Sequence, residues 1–341
     1  MSIKGLAAIS RKFQQPLLIE EMEFPDPGPG EVLVKMAATG VCHTDLHAVN
    51  GDWPIKPTLP FVPGHEGVGT IVRAGSSVKN VKEGDRVGLP WLHQACGYCD
   101  WCLSGWETLC PKAVFGGYSA NGSFAEYEIG PAAYVIPIPA GLTSNAAAPI
   151  LCAGVTTWKA LKQADLTAGD WVAISGIGGL GHLALQYAKA MGLHIAAIDV
   201  AEDKLALARA LHADIVVDAR TTNPAEFLQK EIGGAHGVII TAPSKAAFQQ
   251  GLGMTRRKGT CVLVGLPSGD FPVSIFDMVL RGITIRGSFV GTRSDQAEAL
   301  SFASHSQVVS EIHLRPFRDV NDALDDLAKG NVTGRTVLTF E

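Results

Sequence analysis

A chain of 341 residues has room for two domains or one large one, with ample apolar material for a core. Its hydrophobic fraction of 47% and charged fraction of 18% are ordinary for a soluble globular enzyme. With 28 basic and 33 acidic side chains the formal charge is −5, and no basic block marks a nucleic-acid footprint. No apolar run reaches bilayer length, and the opening MSIKGLAAISRKFQQP lacks the apolar core of a signal peptide. Seven cysteines without a secretory signal point to a reducing, cytoplasmic setting, where thiols serve metals rather than disulfides. The expectation is a cytoplasmic protein with neither membrane nor nucleic-acid partner.

Residues 1–150 are rich in Gly and Pro. Short β-type runs such as Glu31–Lys35 and Gly67–Val72 are punctuated by Pro27-Gly28 and Pro29-Gly30, which predicts an irregular antiparallel β domain. Near Asn145 the texture changes. Trp171–Ser175 is an apolar run, followed by a glycine cluster, a helical pattern over Leu180–Met191, and a second strand, His194–Ile198, ending at Asp199. Ile215–Val217, Gly237–Thr241, Thr260–Val264 and Ile283–Ile285 continue as buried strands alternating with helices, the pattern of a parallel sheet covered on both faces. After Phe289 the chain reads as helix, strand, helix and a closing strand, Thr336–Thr339, expected to return to the first domain. The predicted division is 1–151 with 290–341, and 152–289.

Gly176-Ile177-Gly178-Gly179-Leu180-Gly181 matches G-x-G-x-x-G between a strand and a helix, and Asp199 ends the next strand 18 residues after Gly181. These glycines permit a tight turn and the close approach of a pyrophosphate, whose charge sits at the helix N-terminus. Asp199 would accept from the adenosine-ribose hydroxyls and repel a 2′-phosphate, so NAD is expected rather than NADP. Lys204 lies within reach of the same ribose.

Cysteine usage gives two metal patterns. Cys96-x2-Cys99-x2-Cys102-x7-Cys110 gathers four thiols in a Gly-containing loop, enough for a closed tetrahedral zinc site. An iron–sulfur reading is disfavoured, because bacterial ferredoxins space the last pair by three residues, not seven, and the fourth thiol there serves a second cluster. Cys42, His65 and Cys152, two thiols and an imidazole far apart in sequence, are candidates for a second, open set, although taken singly each also reads as a core residue, Cys152 beside Leu151 as a buried thiol. Cys261, the remaining cysteine, lies in an apolar run and reads as core.

The stretch Gly64-His65-Glu66-x2-Gly69-x5-Gly75-x2-Val78 resembles the signature of the zinc-containing alcohol dehydrogenases of the medium-chain dehydrogenase/reductase family. GDWP at 51–54, PWLHQACGYC at 90–99, PILCAG at 149–154 and LVGLP at 263–267 are most similar to the tetrameric enzymes of bacteria and yeast. The resemblance implies an α/β fold: a GroES-like irregular β catalytic domain plus a Rossmann doubly wound coenzyme domain. It implies Cys42, His65 and Cys152 as catalytic-zinc ligands, Glu66 as a neighbouring carboxylate, and Asp45 as the carboxylate orienting His65. It implies Thr44 as the hydroxyl facing the substrate alcohol and His47 as the base at the end of a proton relay. His43 stands where many relatives carry an arginine facing the coenzyme pyrophosphate, and Thr156 and Leu180 resemble residues packing on the nicotinamide.

Trp53, Trp91 and Leu266 resemble positions lining a narrow pocket. The activity so implied is a zinc-dependent, NAD-linked interconversion of small primary alcohols, such as ethanol and 1-propanol, with aldehydes by hydride transfer from a zinc-bound alkoxide. Two zinc ions per subunit and a homotetramer follow from the same resemblance, with Thr284–Val290 as a pairing edge strand. The alternatives are a zinc-dependent relative acting on secondary alcohols, polyols or formaldehyde adducts, and, from a different class, a non-catalytic zinc and nucleotide-binding protein.

Overall fold

Residues 2–305 and 307–340 are described by the structure, a computed structural model. The chain divides into two compact units. One holds Met1–Cys152, Thr292–His305 and Ser310–Glu341; the other holds Ala153–Gly291 and Ser306–Val309.

The first unit is built on a seven-stranded sheet around Glu31–Val41, which is longer than the apolar run in the sequence suggested. That strand pairs antiparallel with Gly67–Ala74, Tyr127–Pro131 and Arg335–Thr339. Period-2 alternation explains why it is central: Leu33 enters one buried cluster, with Phe124, Phe317 and Leu338, while Val32, Val34 and Met36 enter another with Ile71, Val87 and Leu89. Irregular register at Leu33/Val34 and Met36/Ala38 bends the strand, so that its far end runs directly into Cys42. The tail follows the expected order of helix, strand, helix and strand. Its last strand lays Thr336 opposite Val41 and Val337 opposite Gly40.

The second unit carries a six-stranded parallel sheet in the order Ile215–Asp218, His194–Asp199, Trp171–Ser175, Ala235–Ile240, Thr255–Leu263, Thr284–Gly287. The doubly wound arrangement is as expected. The strand order reverses between Trp171–Ser175 and its neighbour Ala235–Ile240, so the Gly176–Gly181 turn leaves the sheet at its switch point. One expectation is corrected. Ile283–Ile285 was read as a buried strand; Ile283 is buried, but Thr284–Gly287, also expected as an edge strand, is the partly exposed edge of the sheet, paired with Thr255–Leu263. Helix Ile275–Arg281, which precedes it, buries none of its residues. Among the described residues, no helix is long and apolar enough to cross a membrane.

Candidate active site and metal centres

Three segments meet where strand Glu31–Val41 ends. Cys42 follows the strand directly, His65 and Glu66 precede its partner Gly67–Ala74, and Cys152 follows the buried turn Ala148–Leu151. Helix His43–Asn50 begins at Cys42, and Asp45 in its first turn accepts the Cys42 N–H through Oδ2 (2.9 Å). The other oxygen of Asp45 accepts the Gly64 N–H (3.1 Å) and faces His65 Nδ1 (2.9 Å). One buried carboxylate thus fastens the segments bearing two candidate ligands. It also requires the imidazole proton to sit on Nδ1, which leaves the Nε2 lone pair for a metal.

That Nε2 lies 3.3 Å from Cys152 Sγ, and the Cys42 and Cys152 sulfurs are 3.9 Å apart. A tetrahedral zinc with Zn–S of about 2.3 Å and Zn–N of about 2.0 Å needs S···S near 3.8 Å and S···N near 3.5 Å, so the donor set fits. Cys42 is held well below the usual thiol range by the Cys152 thiol, then by the charges of Arg335 and His65.

Glu66 completes this group of four donors, which all lie within 4.8 Å of one another. One of its oxygens bonds Arg335 Nη2, while Oε2 is buried with no hydrogen-bond partner among the described residues. Burial pushes the Glu66 carboxyl up to about 7 against the opposing charge of Arg335. The carboxylate lies over Gly40: a Cβ there would fall 1.8 Å from Oε2, so a side chain at this strand position would have to displace the Glu66 carboxylate. Arg335 escaped the sequence reading. The available signal was an arginine opening the apolar run Arg335–Thr339, where a buried cation demands a partner.

An aromatic wall stands beside the candidate ligands. Trp91 is 4% exposed, meets the His65 ring edge-on at 5.2 Å and stacks on Phe115 at 4.9 Å. Trp53 crosses Trp91 at 6.5 Å and stacks on His47 at 5.3 Å. Tyr118 reaches both indoles at 5.6 Å; like Phe115, it had been missed. Thr44 and His47 are three residues apart on the helix that starts at Cys42, hence on one face. His43, at that helix's first position, is exposed. Leu266 and Thr156 belong to the second unit, the former 59% and the latter 7% exposed.

The four-cysteine loop also closes on itself. Cys102 Sγ lies 3.9 Å from Cys96 Sγ and 3.6 Å from Cys99 Sγ, and all four sulfurs fall within 4.8 Å. The Cys96 and Lys112 N–H groups point at Cys110 Sγ. These distances again fit tetrahedral zinc, with no donor left over for substrate. Backbone N–H groups, that of Tyr98 first, bring Cys96 down to about 6, while burial pushes Cys102 up to about 12. Tyr98, Trp101, Leu103 and Leu109 are all exposed, so the loop has little apolar core of its own. A two-pronged bond from Arg293 to Glu107, with Nη2···Oε2 at 2.7 Å, ties it to helix Arg293–Ser304.

In the second unit the glycine-rich loop is tightly determined. Gly176 has φ +97°, and a Cβ on Gly181 would fall 1.8 Å from Gly176 O, so both positions exclude side chains. Gly178, Gly179 and Leu180 form the turn into helix Gly181–Ala190. Asp199 is 9% exposed; its Oδ2 accepts the Ile177 N–H (2.6 Å) and its Oδ1 the N–H groups of Val200 and Ala201 (2.7 and 3.0 Å). Lys204, on helix Glu202–Ala210, is half-buried.

Comparison with known proteins agrees with this arrangement. Residues 28–140 match the alcohol dehydrogenase GroES-like domain, and residues 179–305 match the zinc-binding dehydrogenases. The chain is 58% identical over 334 residues to an alcohol dehydrogenase of Moraxella sp. (strain TAE123), covering 98% of this chain and 99% of that protein. It is 52% identical over 335 residues to an alcohol dehydrogenase of Geobacillus stearothermophilus, with the same coverage. Among solved structures, the alcohol dehydrogenase of the hyperthermophilic archaeon Aeropyrum pernix superposes with a TM-score of 0.90 at 34% identity, over 98% of this chain and 100% of that one. The chain therefore belongs to the zinc-dependent alcohol dehydrogenases of the medium-chain dehydrogenase/reductase family, oxidoreductases of alcohols and aldehydes linked to a nicotinamide nucleotide.

Proposed function

We propose that the chain oxidises small primary alcohols such as ethanol and 1-propanol with NAD, holding two zinc ions per subunit, as a cytoplasmic homotetramer. The observation that carries this reading is the Cys42–His65–Cys152 donor set, fastened by Asp45 and walled by Trp53, Trp91 and Tyr118. Asp199 at the end of the second strand supports NAD, since a carboxylate there repels a 2′-phosphate. Ile275, Phe276, Val279 and Leu280, each more than half exposed on the helix before the edge strand, support an oligomer that covers them.

Cys42 Sγ, His65 Nε2 and Cys152 Sγ would hold the catalytic zinc, and Cys96, Cys99, Cys102 and Cys110 the structural one. When bound, the catalytic ion supplies a Lewis acid for the substrate oxygen and NAD the hydride acceptor. The chain's own residues handle the rest. Thr44 Oγ1, on the first turn after Cys42, hydrogen-bonds the substrate hydroxyl and orients it. His47 Nε2, one turn further along the same face, holds the departing proton at the solvent end. The indoles and Tyr118 exclude water and leave a slot matched to short alcohols.

Ethanol-dependent NAD reduction, abolished by a chelator and restored by zinc, tests the reading. Catalytic efficiency should fall from ethanol and 1-propanol to longer and branched alcohols, and NADP should react more slowly. Chelator-insensitive turnover, or a preference for secondary alcohols, would overturn it. Sedimentation velocity gives the subunit number.

A further inference from the structure

The helix that starts at Cys42 ends in a way that concerns its own histidine. Gly51, with φ +66°, turns the chain back and donates its N–H to His47 O (2.9 Å); the Asp52 N–H bonds the same carbonyl (3.2 Å). The turn brings Asp52 Oδ2 to 3.0 Å from His47 Nδ1, and the next residue, Trp53, stacks its indole on the imidazole at 5.3 Å and 28°. The ring is therefore held at one edge and across one face by two consecutive residues.

We infer that Asp52 is a positioning residue for His47, fixing the imidazole proton on Nδ1 so that Nε2 presents its lone pair. The inference rests on the proposed role of His47 as proton acceptor. A neutral histidine side chain in water favours the proton on Nε2, which is the wrong tautomer for a group that accepts there. A carboxylate on Nδ1 reverses that preference. The proton balance is simple: Nε2 takes a proton and later releases it to water, the Nδ1 proton stays in place, and Asp52 remains a carboxylate throughout. With side chains 30% and 43% exposed, the pair is a half-solvated one and contributes little to stability. Its effect is on which nitrogen is basic and where it points.

The test uses zinc-loaded protein with 15N-labelled histidine and no coenzyme. The His47 signals are identified by their loss in His47→Gln. At a pH where the ring is neutral, the wild-type chain should show the Nδ1–H pattern, and Asp52→Ala should shift it towards Nε2–H. Asp52→Asn, of the same shape but able to donate as well as accept, should lie between them and carries the test if Asp52→Ala does not fold. In alcohol oxidation, Asp52→Ala should lower kcat/KM on the order of tenfold, with zinc content unchanged, and should add nothing in a His47→Gln background. An unaltered tautomer in Asp52→Ala, or an equal loss of rate with and without His47, overturns the inference. An unimpaired His47→Gln enzyme instead removes the proton-acceptor role on which it stands.

Discussion

Arg335 and Glu66 are 269 residues apart in sequence and form an ion pair with side chains 4% and 0% exposed. Removing Arg335 leaves the Glu66 carboxyl without its partner in a dry interior, so that it must carry an unpaired charge or take up a proton there. Arg335→Met should therefore lower unfolding stability by about 3–5 kcal/mol, whereas Glu66→Gln combined with Arg335→Met should recover part of that loss. Denaturant titration of the three variants measures the difference. Equal stability of Arg335→Met and wild type would show that the pair contributes nothing.

The four-cysteine loop should fail locally rather than globally. Cys102→Ser is expected to reduce bound zinc from about two ions to about one per chain. The segment between Cys96 and Cys110 should then become the first site of proteolytic cleavage, since its exposed Tyr98, Trp101 and Leu103 supply no alternative core. Metal analysis and timed proteolysis test this together. Loss of both ions would mean that the two centres are not independent.

Trp91 is the buried member of the indole pair, so its removal should act on substrate size. Trp91→Ala is expected to raise kcat/KM for longer or branched alcohols relative to ethanol by roughly 10–100-fold, the effect of a few methylenes gaining room. A rate series over chain length reads this out. The same ratios in both enzymes would place the size filter elsewhere.

Asp199 is expected to do more than read the ribose. Asp199→Ala removes the acceptor for the N–H groups of Ile177, Val200 and Ala201. Efficiency with either coenzyme should fall, and that with NAD should fall further, by about tenfold or more beyond the loss with NADP. An unchanged NAD/NADP ratio would remove Asp199 from coenzyme selection.

What the sequence made legible follows a physical division. Gly176 to Gly181, Asp199 and the strands around them are local: residue type, period and spacing determine them within about 30 residues. The four-cysteine loop is local as well. Arg335, Tyr118, Phe115, Asp52 and the Arg293–Glu107 tie were missed because their meaning comes from partners. No spacing announces that the closing strand lays Arg335 beside Glu66, or that the Gly51 turn folds Asp52 onto His47. The edge position of Thr284–Gly287 was expected only through the resemblance, because an apolar run such as Ile283–Ile285 does not itself reveal which side of a sheet is left uncovered.

Asp45 caps a helix with one carboxylate oxygen and aligns the candidate ligand His65 with the other, and this gives the first turn of that helix an unusual status. Fraying there would release the Cys42 N–H, the Gly64 N–H and the His65 ring together. Local order at residues 42–45 and affinity for the proposed metal are then thermodynamically linked. Any ion that binds tightly lengthens the lifetime of that turn, and any change that loosens the turn weakens the hold on the ion.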